Sequence, residues 1–298
     1  MISTRDWEAT FVAWSKPSSS AELEKQENAE RMIRAAIRES AALRSKNIEV
    51  FAQGSYKNNT NVRFDSDVDV CVRLTDQFFY DLPTGTQETS FGISPASYSY
   101  ENLKNDVGEA LVSKFGRAGV ARGNKAFDVH ENSYRVDADV VASFEHRRYA
   151  ATGRYISGTE FRPDDGGRVI NWPLQQYENG VAKNNRTGGR FKLITRDIKR
   201  LRNEMNDKGV AEAKPIPSFL IECLVWNAPD EAFGHKGLTE DVRYVLAFAF
   251  NNTRSDETCI EWGEVSELKY LFRMGQPWTR EQAHAFLSAA WDYVAFKD

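Results

Sequence analysis

The sequence predicts an α+β chain on three observations: alternating apolar residues confined to the first half, helical periodicity from about residue 191 onward, and a size that can bury a sizeable core. The expected organisation is a mixed sheet with helices over residues 1–155 and a mostly helical C-terminal lobe over 156–298. Ser19 and Glu22 have capping-box spacing, and Met32, Ile33, Ala36, Ile37 and Leu43 recur at helical intervals to about Asn47, so a long amphipathic first helix is expected. Residues 48–52 form a short strand pattern ending at Gly54-Ser55. From Asp65 to Leu74 the chain alternates, with Val68, Val70, Val72 and Leu74 on one face. The Ser-, Thr-, Gly- and Pro-rich stretch 84–99 reads as loop and 103–115 as helix. Residues 127–130 and 134–144 read as strands about a turn at Glu131-Asn132-Ser133. Residues 153–189, with many Gly, Asn and Pro, read as an irregular connection or a surface that shapes a cleft, and 191–205, 217–226, 238–251 and 279–296 as helices.

Composition narrows the function. The 39 basic and 43 acidic residues give a net charge of -4, which argues against coating long nucleic acid and leaves small charged ligands open. The opening MISTRDWEAT is charged where a signal peptide needs an apolar run, and no stretch approaches the roughly 18 apolar residues of a membrane span. Cys71, Cys223 and Cys259 are odd in number and not closely paired, which points to a reduced cytosol rather than a disulfide framework or CxxC metal site. His130, His146, His235 and His284 form no ligand pair at helical or strand spacing, and none is assigned a role.

The chemistry concentrates in Gly54-Ser55-Tyr56 and Asp65-Ser66-Asp67-Val68-Asp69-Val70. Residues two apart on a strand share a face, so Asp67 and Asp69 project together while the valines point inward. Neighbouring carboxylates on an apolar strand repel, and an oxygen-seeking divalent ion relieves that repulsion. An isolated pair of alternating acids is equally the solvated face of an edge strand. A calcium loop is excluded, because Asp65, Asp67 and Asp69 would need Gly and Glu where Val70 and Asp76 stand. Gly54 permits close backbone approach, and successive amides with the Ser55 hydroxyl can donate to phosphate oxygens. Two-metal phosphoryl transfer asks for a third carboxylate, for which Asp137 and Asp139 are both placed on one face of the later strand. On the 191–205 helix, Phe191, Ile194, Ile198, Leu201 and Met205 form an apolar stripe opposite Lys192, Arg196 and Lys199, a basic face that is either solvated or ligand-binding.

The block GSYKNNTNVRFDSDVDVCV resembles the GS-x(n)-[D/E]h[D/E]h signature of the polymerase-β nucleotidyltransferase superfamily. DVVASF at 139–144 resembles the third-carboxylate strand of oligoadenylate synthases and cGAS/DncV-like enzymes (CD-NTases), with Ala142 where Pro is common. The likeness extends through Asn171-Trp172-Pro173, Lys183-Asn184-Asn185, Phe191-Lys192, Arg196 and Lys199 to Ser218-Phe219-Leu220-Ile221-Glu222. It implies a polymerase-β-like nucleotidyltransferase lobe, a C-terminal helical lobe, and an active site in the cleft between them.

Under this resemblance Asp67, Asp69 and Asp139 hold two Mg2+ ions, with Mn2+ as substitute and Asp137 in reserve. Gly54, Ser55 and Lys199 fix the triphosphate. Asn171, about thirty residues beyond the third carboxylate, reads uracil, while an Asn before Trp-Pro is equally a turn cap. The implied activity joins ATP, GTP or UTP into a cyclic oligonucleotide, a cyclic dinucleotide foremost, with release of pyrophosphate. Its product would be a second messenger in bacterial antiphage signalling, with a downstream effector and regulatory proteins as partners. The rivals are a transferase that modifies a protein, an RNA end or a small molecule, and an inactive nucleotide-binding module.

Overall fold

The alternation in the first half builds a seven-stranded sheet in the structure, a computed structural model describing residues 5–62, 67–132, 134–273 and 275–296. In chain order the elements are α1 (Trp7–Trp14), α2 (Ser20–Glu39), β1 (Ile48–Ala52), α3 (Gly54–Lys57), β2 (Val68–Asp81), α4 (Tyr100–Phe115), β3 (Val120–Arg122), β4 (Phe127–Val129), β5 (Ala138–Tyr149), β6 (Tyr155–Phe161) and β7 (Val169–Asn171). The helices α5 (Pro173–Arg186), α6 (Arg190–Asp207), α7 (Ser218–Asn227), α8 (Leu238–Asn252), α9 (Asp256–Cys259) and α10 (Arg280–Val294) follow. Among the described residues, no helix is long and apolar enough to cross a membrane.

The chain divides into two compact units. One comprises Ser19–Lys57 and Arg63–Pro173; the other comprises Met1–Ser18, Asn58–Val62 and Leu174–Asp298. A single cut at 155/156 therefore does not describe the division: residues 156–173 continue the sheet as β6 and β7, and two earlier pieces group with the helices.

In the sheet unit the strand order is β1-β2-β5-β4-β3, with β6 beside β5 and β7 beside β6. β2 and β5 run parallel, and the other pairs antiparallel. Val68, Val70, Val72 and Leu74 of β2 and Ala138, Val140, Ala142 and Phe144 of β5 share a buried core with Ile33 and Ile37 of α2 and Leu103, Val107 and Leu111 of α4. The start of the alternation at Asp65 and Ser66 lies outside the described residues. β2 runs on past Leu74 because a register shift between Leu74 and Phe78 renews its pairing with β5.

Two further expectations are corrected. The first long helix begins at the capping box of Ser19 and Glu22 but ends at Glu39. Leu43 packs into the same core from the turns that follow, so the apolar spacing outlasts the helix. Residues 153–189 are not an irregular connection: they form β6, β7 and α5. Gly158, which reads as a breaker, lies inside β6 because β7 and Trp172 approach it too closely for a side chain. Pro173 opens α5 at the first helical position, where its missing N–H costs nothing.

The helical unit buries Phe11 of α1 with Phe191, Ile194, Ile198 and Leu201 of α6, Leu220 and Leu224 of α7, Val242 and Leu246 of α8, and Phe286 and Leu287 of α10. Its last helix starts at a second capping box, Thr279 with Gln282.

Candidate active site

The face of the sheet opposite the α2 and α4 core carries the acids. Parallel pairing sets Asp69 of β2 directly against Asp139 of β5, and antiparallel pairing sets Asp139 against Asp128 of β4. Register partners project to the same face, so three carboxylates form a row across three adjacent strands, which lie about 4.8 Å apart. Asp67 ends the segment entering β2, and the next residue, Val68, donates its N–H to the Asp137 carbonyl at 3.0 Å. Asp137 also accepts from the Glu131 N–H through Oδ1, so one of its oxygens holds the β4–β5 turn.

Electrostatics mark this row. Burial, then the charges of Asp139 and Asp67, push the Asp69 carboxyl up to about 7. Burial, followed by Asp67, Asp128 and Asp137, raises Asp139, and burial with Asp137 and Asp128 raises the exposed Asp67. Every one of these influences disfavours the charged form, and among the described residues none comes from a cation. The donor set is all carboxylate oxygen, which fits magnesium or another hard divalent ion. Beside it, Asp128, His130 and Asp137 offer ligand atoms within 4.8 Å of one another.

Gly54 closes one side of the row. Its φ is +67°, and a Cβ there would lie 2.1 Å from Asp69 Oδ2, so any other residue would collide with the carboxylate. The Gln53 N–H donates to the Asp69 carbonyl at 2.9 Å, which ties the segment entering α3 to the acid strand. Ser55 is the second residue of that one-turn helix. The structure thus brings together Gly54, Asp67 and Asp69, which their spacing singled out, and Asp139, which the family resemblance chose over Asp137.

The remaining expected residues are placed differently. Asn171 ends β7, where its carbonyl lies 3.5 Å from the Thr159 hydroxyl. Lys199 lies in the helical unit at 1% exposure; its ammonium donates to Glu222 Oε2 at 2.8 Å and to the Thr60 hydroxyl and carbonyl at 3.0 and 3.2 Å. Burial alone would raise Glu222, but the Lys199 charge, with hydrogen bonds from Lys199, Thr60 and Gln176, holds its carboxyl below the usual range. Arg196 is also buried, donating to the Ser15 carbonyl at 2.6 Å and the Asn59 carbonyl at 2.5 Å. The stripe opposite the apolar side of α6 is therefore neither solvated nor open at these two positions: its cations hold chain carbonyls and a buried acid.

Sequence reading missed Asp128. The alternation of Phe127, Asp128 and Val129 carried the signal, since an acid between two buried residues of a strand must face away from the core.

Known proteins resemble this chain over almost its whole length. Residues 178–295 match the model of the cGAS/DncV-like nucleotidyltransferase C-terminal helical domain. The chain is 50% identical over 293 residues to the cyclic dipyrimidine nucleotide synthase CdnE of Legionella pneumophila, covering 97% of this chain and 98% of that protein. It is 46% identical over 290 residues to the cyclic dipyrimidine nucleotide synthase CdnE of Cecembia lonarensis, covering 97% and 98%. The structure of the Rhodothermus marinus CdnE c-UMP-AMP synthase with Apcpp and Upnpp superposes with a TM-score of 0.85 at 30% identity, over 98% of this chain and 97% of that one. The chain belongs to the cGAS/DncV-like nucleotidyltransferases, and its activity is the synthesis of a cyclic oligonucleotide.

Proposed function

We propose that this protein joins two pyrimidine ribonucleoside triphosphates, UTP foremost, into a cyclic dinucleotide with release of pyrophosphate. The observation that carries the chemistry is the register pairing of Asp69 with Asp139 beside Gly54. The pyrimidine preference is supported by the two full-length relatives named as cyclic dipyrimidine synthases, and by Asn171, which stands near the spacing beyond Asp139 at which the family resemblance expects a base contact.

Asp67, Asp69 and Asp139 would hold two magnesium ions, which when bound neutralise charge on the reacting phosphate and lower the pKa of the attacking hydroxyl. Asp69 and Asp139 meet that charge already aligned by the sheet, so little reorganisation precedes binding. Gly54 leaves space against Asp69 for a phosphate to approach the backbone, and Ser55 supplies a hydroxyl. Lys199, the helical unit's candidate for the triphosphate, keeps its ammonium on Glu222 and Thr60. Asp128, paired with Asp139, adds negative charge that favours ion uptake.

The product would act as a messenger in bacterial antiphage signalling, read by a downstream effector and governed by regulatory proteins. The cytosol is the proposed compartment, in keeping with three free, buried cysteines. Mass spectrometry of the product made from all four ribonucleoside triphosphates with Mg2+ tests the reading: a phosphatase-resistant ring of two pyrimidine nucleotides is expected. Product formed only when a protein, RNA or small-molecule acceptor is added overturns it in favour of acceptor modification.

A further inference from the structure

We propose that Trp172, wedged between His146 and Gly158, sets the position of Asn171 and through it the preference for pyrimidine bases; this rests on Asn171 as the base contact. Strand parity gives Asn171 its direction. It pairs with Thr159, which pairs with Glu145, and Glu145 lies an even number of residues beyond Asp139 on β5. Asn171 therefore shares the carboxylate face of the sheet.

Trp172 turns to the other side and is 2% exposed. His146 meets its ring edge-on at 5.4 Å, and the Arg148 guanidinium lies over it at 4.6 Å. A Cβ on Gly158 would come within 2.7 Å of both Trp172 Cε3 and the Asn171 carbonyl oxygen, so the wedge and Asn171 rest on the same bare glycine. His146 is itself immobilised. Its Nδ1 lies 2.8 Å from Glu160 Oε2 and its Nε2 3.3 Å from Asp81 Oδ2, while Arg168 bridges the same two carboxylates at 2.9 and 3.0 Å.

β7 needs such a device. It is three residues long and pairs only with β6 among the described strands, so its ladder hydrogen bonds alone fix Asn171 weakly. The line Asp81, Glu160 and Arg168 to His146, then Trp172, then Asn171 supplies what the ladder lacks. Trp172 and His146 are positioning residues, and they touch no reacting atom.

The test measures kcat and KM for pyrophosphate release from UTP alone and from ATP alone, with Mg2+, in Asn171→Ser, Gly158→Ala and Trp172→Phe. Asn171→Ser is expected to narrow the ratio of UTP to ATP specificity by about tenfold. Gly158→Ala is expected to narrow it comparably through KM for UTP, with kcat kept within about twofold, and Trp172→Phe to shift it the same way by less. If Asn171→Ser leaves the ratio unchanged, the base reading fails and the positioning proposal falls with it. If Asn171→Ser moves the ratio while folded Gly158→Ala does not, or lowers kcat equally for both nucleotides, the positioning proposal alone is overturned. Should Gly158→Ala give no folded protein, Trp172→Phe decides by the same criteria.

Discussion

In the helical unit Lys199 meets Glu222 at 2.8 Å and Arg196 is spent on two chain carbonyls, whereas in the sheet unit Asp69 has burial and other carboxylates around it. Both regions take charge out of water. The first satisfies it internally, and the second gathers like charges. A buried charge with a full set of partners holds a fold together, and a row of like charges on a rigid sheet marks a place where a ligand must supply the difference.

The largest expected effect removes those like charges. Asp67→Ala combined with Asp69→Ala should lower pyrophosphate release by on the order of a thousandfold or more, since several kcal/mol of charge stabilisation go with the ions. The melting temperature should hold or rise, because mutually repelling acids are gone. Retained turnover would refute the site, and a collapsed melting transition would refute the contrast with the helical unit.

Next comes the satisfied pair. Lys199→Met leaves Glu222 buried without its cation and should cost about 3–5 kcal/mol in urea denaturation. Adding Glu222→Leu should recover most of that loss; a double variant as unstable as the single one would show that the pair contributes more than charge neutralisation.

The smallest effect concerns an exception inside the helical unit. Asp197 is buried, neither carboxyl oxygen has a hydrogen-bond partner among the described residues, and burial, opposed by Arg196 and Arg200, pushes it up to about 9. A carboxyl raised in the folded state contributes stability below its unfolded pKa and loses it as pH rises through the folded value. Wild-type stability should therefore decline relative to Asp197→Asn from about pH 4 up to about pH 9, by on the order of several kcal/mol in total. Denaturation midpoints for both proteins at pH 5, 7 and 9 check this, and parallel curves would contradict it.

Much of this was legible in the residues. Period-two alternation placed Asp69 and Asp139 opposite to the valine core, and the GS turn sits against Asp69 as its spacing suggested. The fate of the α6 cations was not legible, because their partners Ser15, Asn59, Thr60 and Glu222 are 23 to 181 residues away in sequence. β6 and β7 were hidden because the residue that breaks their pattern, Gly158, is required by a neighbour that local reading does not see. His146 was set aside for lack of a ligand pair, yet its partners Asp81 and Glu160 arrive from two other strands. Local periodicity reports which way a side chain faces and is silent about what will meet it there.

The grouping of Met1–Ser18 and Asn58–Val62 with the helices has a consequence for biosynthesis. Phe11 and Thr60 leave the ribosome well before Phe191 and Lys199, the residues they dock against or bind. Until the later helices emerge, α1 has no hydrophobic surface of its own unit to settle on, so assembly of that unit is governed by long loop closure. Neither terminal half, cloned separately, would contain a complete helical core.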